Sequence, residues 1–373
     1  MRYPGLDLLR AIAIVWVMLF HTYLVGGLGP DWGWLERFGW MGVDLFFVLS
    51  GFLIGQQVLA PLARGARLDF GDFYLRRALR ILPAFWVVLA IYLAFPLLRE
   101  RPGLEPWWKF AFFLFNVTAD YRNPAFSQVW SLCVEEHFYL VFPLLALWLV
   151  PRLNPRRFLW LCAALVLGGV ALRTTIWIVD ARADAMGQMD RNWFVEDIYY
   201  PTWNRLDGLL AGVMLAAARV FRAQAWERLQ QHANTVLVAG LLLLAAAMWS
   251  FRDRVGLPGN ALGWPLLSAA MGLLVFAGAG TRSVIARWKV PGAGWLALAS
   301  YSLYLVHKLV YGNVQRLAGD LIDGRPLLAL LVYAAATLAA GALLHYAVER
   351  PFLRLRGHLL ARRAAPAGLR DAA

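Results

Sequence analysis

The chain has 373 residues, of which 61% are hydrophobic and only 16% charged, with 18 Trp and 22 Phe, a composition outside the range of soluble globular proteins. The net charge of +13 would suit a nucleic-acid partner, but the arginines fall in short breaks between apolar runs and in the tail rather than in one groove; the excess reads as positive-inside topology, and no nucleic acid is expected. The two cysteines, Cys133 and Cys162, both lie in apolar runs and read as buried free thiols, so neither a disulfide framework nor a bound metal is expected.

Runs of the roughly 20 apolar residues that cross a bilayer recur along the chain, with candidate spans at 8–28, 38–58, 79–98, 129–150, 158–178, 203–220, 233–251, 260–280, 295–313 and 327–347. The expected fold is all-α, a polytopic membrane bundle of about ten helices. It forms one domain over 1–352, followed by a basic cytoplasmic tail over 353–373 that reads as disordered. Met1-Arg2 leads straight into the first span with no cleavable signal pattern, and no internal repeat is visible. The segment "WWKFAFFLFNVT", 107–118, is about 12 residues long, a length typical of a re-entrant or interfacial piece.

Charge decides between topologies. If 107–118 does not cross, the loops holding Arg64, Arg67, Arg76 and Arg77, then Arg152, Arg156 and Arg157, then Arg219, Arg222 and Arg228, then Arg282, Arg287 and Lys289, and finally the tail, all share the side of Met1. That predicts ten spans with both termini cytoplasmic. The outward loops then carry Trp32, Trp34, Trp107, Trp108, Trp193, Tyr199 and Tyr200, as an interfacial belt or as a platform for sugar rings.

In chain order, the first run that invites chemistry is "RAIAIVWVMLFH", which ends on Arg10 and His21. A charged residue in hydrocarbon costs about 2.5–3.5 kcal/mol, so such residues face protein or a wet cavity. Eleven residues make three helical turns plus about 20°, with a rise of about 16 Å, so the two share one face. A neutral imidazole there can take a proton from a hydroxyl; the bland alternative is an interhelical hydrogen bond for His21 and an interfacial anchor for Arg10. "GVDLFFVLSGFLIG" then buries Asp44 among Gly42, Gly51 and Gly55, which permit close helix approach. "FYLRRALRILPAFW" puts Arg77 and Arg80 on one face at the inner mouth of the third span, and "VWSLCVEEHFYLVFP" sets Glu135, Glu136 and His137 at the start of the fourth. "TWNRLDGLLAG" adds Arg205 and Asp207, "SYSLYLVHKLV" adds His307 and "HYAVERPF" adds Glu349. Asp44, Glu135 and Arg205 suit either the orientation of His21 or interhelical ion pairs, and Asp207 favours the second. His232 and His358 read as solvent-facing, His345 as interfacial, and His307 as a structural hydrogen-bonder or a second base.

Together the Arg-x10-His of the first span, the GVD-FF-x-x-SGF stretch, the Arg-x-x-Arg and the W-S-L-x-x-E-E-x-F-Y block resemble the membrane-bound acyltransferase-3 family, over Leu6 to Phe352. His137 stands where many members have Gln. The family's bacterial enzymes O-acylate cell-surface and secreted carbohydrates, polysaccharide or lipopolysaccharide, in the inner membrane. Many carry a fused esterase-like domain, and no function that needs that domain is expected here. The resemblance implies transfer of an acyl group, acetyl foremost, from acyl-CoA to a hydroxyl of a saccharide or lipid-linked glycan. It assigns Arg10, His21 and Glu135 to catalysis and Arg77 and Arg80 to the phosphates of acetyl-CoA, a donor substrate rather than a resident cofactor. Asp44, Arg205 and His307 are expected to support the substrate or the structure, with membrane lipids around the bundle. A transporter or flippase is the alternative, since buried Arg, Asp, Glu and His also line transport pathways; the missing inverted repeat counts against it.

Overall fold

The computed structural model describes residues 3–27, 33–150, 152 and 154–364. Within them the long elements are α1 (Pro4–Phe20), α2 (Met41–Ala63), α3 (Phe70–Ala94), α4 (Val129–Leu149), α5 (Pro155–Ala185), α6 (Leu206–Phe221), α7 (Ala233–Ser250), α8 (Trp264–Gly278), α9 (Ala293–Ile322), α10 (Pro326–Leu344) and α11 (Arg350–Ala364). There is no strand among the described residues. The chain is an all-α, polytopic membrane protein.

The helix starts are written locally. Pro4 and Pro155 occupy the first turns of α1 and α5, where a missing N–H costs nothing. The Asp69 and Asn154 side chains accept from the N–H groups of Asp72 and Arg157, each at 2.8 Å, and cap α3 and α5. Each expected span overlaps one of α1–α10. Among the described residues eight helical stretches are long and apolar enough to cross a bilayer, those built on α1, α2, α3, α4, α5, α7, α8 and α10. Of the other two, α6 has 16 residues, a rise of about 24 Å, and α9 carries His307 and Lys308.

Where the sequence suggests one membrane domain, the helices gather into two compact units, Met1–Ala66 with Arg101–Leu298, and Arg67–Glu100 with Ala299–Ala373. In the first, α2 and α6 touch backbone to backbone. A Cβ on Gly51 would stand 2.1 Å from the Leu209 carbonyl oxygen, and one on Gly212 2.2 Å from that of Val48. Gly42 meets α1 in the same way, 2.6 Å from the Ala13 oxygen. The doubtful segment 107–118 holds only a short helix, Trp107–Ala111, with a rise of about 7.5 Å, far too little to cross. It is clamped by Lys109, whose ammonium lies 2.8 Å from the Glu105 carboxylate and donates to the Thr118 carbonyl at 2.6 Å.

The second unit joins α3 to the C-terminal helices. Glu100, whose side chain is shielded from solvent, lies 3.2 Å from the Lys308 ammonium and accepts from the Tyr92 hydroxyl at 2.7 Å. Tyr301 donates to the Ile81 carbonyl. At the end of α10 the chain widens into a π-turn, His345–Glu349, and Glu349 accepts from Ser302 and meets His345, both at 2.8 Å.

Two expectations need correction. His345 is buried rather than interfacial, because Glu349 supplies it a partner inside the protein. The tail continues as α11 up to Ala364: it docks on α3, and Arg363 pairs with Asp72 at 3.2 Å. The remainder of the tail, 365–373, lies outside the described residues, as do Met1 and Arg2.

Candidate active site

α1 ends at Phe20, and His21 opens a single 3₁₀ turn, His21–Val25, closed by Gly26 in the left-handed region. The His21 Nδ1 lies 2.9 Å from the Val17 carbonyl oxygen. A carbonyl only accepts, so in the neutral ring the proton sits on Nδ1 and the lone pair on Nε2, the form a general base requires. Phe20 and Tyr23 flank the ring, with centroids 5.0 and 6.0 Å away. Arg10 is half-buried on α1 and lies 3.4 Å from Asp7, one turn earlier on the same helix.

Glu135 enters from the first turns of α4. Its Oε1 accepts from Ser50 of α2 at 2.7 Å and its Oε2 from Tyr139 at 2.9 Å, and Tyr139 also reaches Ser50 at 3.0 Å. Two hydroxyls therefore hold a carboxylate inside a helix bundle, where desolvation would otherwise penalise it. Two residues on, His137 shares the Thr202 hydroxyl with Asn116, both at 2.7 Å.

Asp44 and Arg205 are brought together across 161 residues in a 2.8 Å ion pair with both side chains buried. The Arg205 guanidinium also lies over Trp264 at 3.8 Å, Tyr199 at 4.6 Å and Trp130 at 5.0 Å. Asp207 pairs elsewhere, with Arg173 of α5 at 2.7 Å. Arg173 is completely buried and also donates to the Asn204 carbonyl at 2.8 Å. The apolar run around Arg173 concealed it from the sequence reading.

The aromatic loop residues divide. Trp34, Trp107 and Trp108 are exposed and fit a belt, whereas Trp193, Tyr199 and Tyr200 are buried; Trp32 lies outside the described residues. Tyr199 stands 4.5 Å from the Arg254 guanidinium, which also faces Phe20, Trp40 and Phe194, and Tyr200 stacks on Trp130 with ring centroids 5.4 Å apart. Burial pushes the Tyr199 and Tyr200 phenols up, so both stay protonated. Arg254 was missed because its loop, "FRDRVG", reads as ordinary solvated charge.

The second unit carries Arg77 and Arg80, half-buried on α3, and His307, fully buried on α9 with its Nδ1 2.7 Å from the Tyr304 carbonyl oxygen. Both cysteines are buried and free.

A many-helix bundle with buried carboxylates and several helices long and apolar enough to cross a bilayer defines an integral-membrane protein. The family model described as "Acyltransferase domain" matches residues 3–346, and the chain belongs to this acyltransferase-3 family. It is similar to the O-acetyltransferase OatA of Staphylococcus aureus, at 29% identity over 231 residues, 57% of this chain and 34% of that protein. It is similar also to the peptidoglycan O-acetyltransferase OatA of Listeria monocytogenes, at 27% identity over 330 residues, 82% of this chain and 48% of that protein. The chain thus spans less than half the length of these relatives. No solved structure matches it.

Proposed function

We propose that this chain is an O-acyltransferase of the bacterial inner membrane, with both termini cytoplasmic, moving an acetyl group from acetyl-CoA to a hydroxyl of a saccharide or lipid-linked glycan. Peptidoglycan is the acceptor suggested by the relatives' names. The observation that carries the proposal is His21, whose Nδ1–H on the Val17 carbonyl leaves the Nε2 lone pair as the base within a membrane chain of this family. In the net reaction the acceptor hydroxyl gives up its proton, its oxygen bonds to the acetyl carbon, and the thioester C–S bond breaks to release CoA thiol. His21 takes the hydroxyl proton and returns it toward the leaving sulfur. Arg10 and Glu135 act with it, as the family resemblance assigns, while the buried Asp44–Arg205 pair and His307 support the helices. Arg77 and Arg80 hold the donor's phosphates by charge-assisted hydrogen bonds.

The test is the O-acetyl content of surface glycans, by mass spectrometry, in a deletion strain complemented with variants at matched membrane abundance. His21→Ala is expected to lower transfer by roughly 10²–10⁴. His21→Gln can hydrogen-bond but cannot act as a base, and it is expected to be as inactive. Near-normal acetylation by His21→Gln would reduce the histidine to a structural role and remove the proposed chemistry. Replacing Arg77 and Arg80 with Ala is expected to weaken acetyl-CoA binding, with only partial rescue by Lys; unchanged donor affinity would restrict the two arginines to topology.

A further inference from the structure

The face shared by α3 and α11 carries guanidinium groups without matching carboxylates. On α3, Asp72, Arg76 and Arg80 follow at four-residue intervals along one face. On α11, Arg356 and Arg363 are seven residues apart, two turns on one face. Arg363 pairs with Asp72 at 3.2 Å, which fixes the register. Seven residues back along α11 and eight forward along α3 are about 10 and 12 Å, so antiparallel helices bring Arg356 level with Arg80. The charges of Arg80 and Arg76 do act on Arg356.

Four carboxylates of the unit are already engaged. Asp72 serves both Arg363 and Arg76, the latter at 4.0 Å; Asp69 caps α3; Glu349 holds His345 and Ser302; Glu100 holds Lys308. Among the described residues neither Arg80 nor Arg356, both half-buried, has an ion-pair or hydrogen-bond partner. An arginine cannot relieve such repulsion by losing its proton. A bound anion relieves it, and planar donors on two facing helices suit phosphate oxygens.

We propose that Arg76, Arg80 and Arg356 form one phosphate-binding site for the phosphorylated end of the acyl-CoA donor, so that α11 is part of the donor site. This rests on the reading of acetyl-CoA as donor and adds to it a helix outside the family match.

The test is equilibrium binding of coenzyme A and of pantetheine, which lacks phosphates, to the purified full chain in neutral detergent. Arg356→Gln is expected to weaken coenzyme A binding roughly ten- to hundredfold and to leave pantetheine binding unchanged. Arg356→Lys is expected to retain part of the affinity, and Arg362→Gln, on an exposed position of α11, all of it. Thermal unfolding of Arg356→Gln at the wild-type temperature keeps the loss attributable to the ligand. If wild type binds coenzyme A and Arg356→Gln binds it equally well, the site is overturned and the donor reading stands. Loss in that variant of stabilisation by phosphatidylglycerol nanodiscs, with coenzyme A affinity intact, would assign the arginines to lipid phosphates and also overturn the proposal. Wild-type protein that binds no coenzyme A overturns the site and the donor together.

Discussion

Arg173 shows what a single buried charge imposes on this chain. Its side chain has no exposure, its guanidinium meets the Asp207 carboxylate at two points, 2.7 and 3.1 Å, and α5 and α6 are tied where the two meet. Removing one partner leaves an uncompensated buried charge, a loss of about 3–5 kcal/mol, whereas apolar replacement of both is often neutral. Asp207→Asn is therefore expected to lower the detergent unfolding midpoint sharply, and the double variant Arg173→Met with Asp207→Leu to recover most of it. A double variant no more stable than the single would show that the pair sets the conformation. Of these partners only Asp207 was legible in the sequence, where a carboxylate opening an apolar run stands out. Arg173 sits among Leu, Gly, Val and Ala and looks like the end of a span, and no local pattern announces that Asp44 will find Arg205 161 residues away. His21 was legible through its spacing from Arg10, but its tautomer was not, since that depends on how α1 ends.

At the scale of elements, apolar run length located α1–α10, and eight stretches among the described residues have the length and apolarity that bilayer thickness demands. It did not reveal the two units, because the association of α3 with α9–α11 depends on distant contacts such as Tyr301 with Ile81 and Asp72 with Arg363. It also missed α11, whose arginines read as a solvated tail until α3 supplies Asp72. Glycine separates the two kinds of helix face. Gly51 cannot accept even a methyl group without driving it into the Leu209 backbone, so Gly51→Val is expected to part α2 from α6, with membrane abundance and unfolding temperature falling together. Gly168 of α5 has open space where its Cβ would be, and Gly168→Ala is expected to be neutral or to stabilise by up to about 1 kcal/mol. Fluorescence-detected size-exclusion with a temperature ramp reads both. Equal losses at the two positions would mean that the α2–α6 contact has no special weight.

For the molecule as a whole, net charge and helix order make one statement about orientation. The clusters Arg64 and Arg67, Arg152 to Arg157, Arg219 to Arg228 and Arg282 to Lys289 follow α2, α4, α6 and α8, so they share one side when the two helices between successive clusters both cross, which for the third cluster includes the 16-residue α6. A rise of about 24 Å falls short of a bilayer core of about 30 Å, and the 3₁₀ turn Thr202–Asn204 leading into α6 makes up part of the difference. A phosphatase reporter fused after Tyr121 is expected to be active, placing the loop of 99–128 outside, and one fused after Gln231 to be silent. An inactive reporter after Tyr121 would mean that α1–α3 do not all cross. Activity after Gln231 together with activity after Tyr121 would mean that an even number of α4, α5 and α6 cross, with α6 the first suspect to stay on one side, and would break the placement of both termini on the cytoplasmic side. The arginines of the 222–228 loop would then stand outside, against the charge rule that the other loops obey.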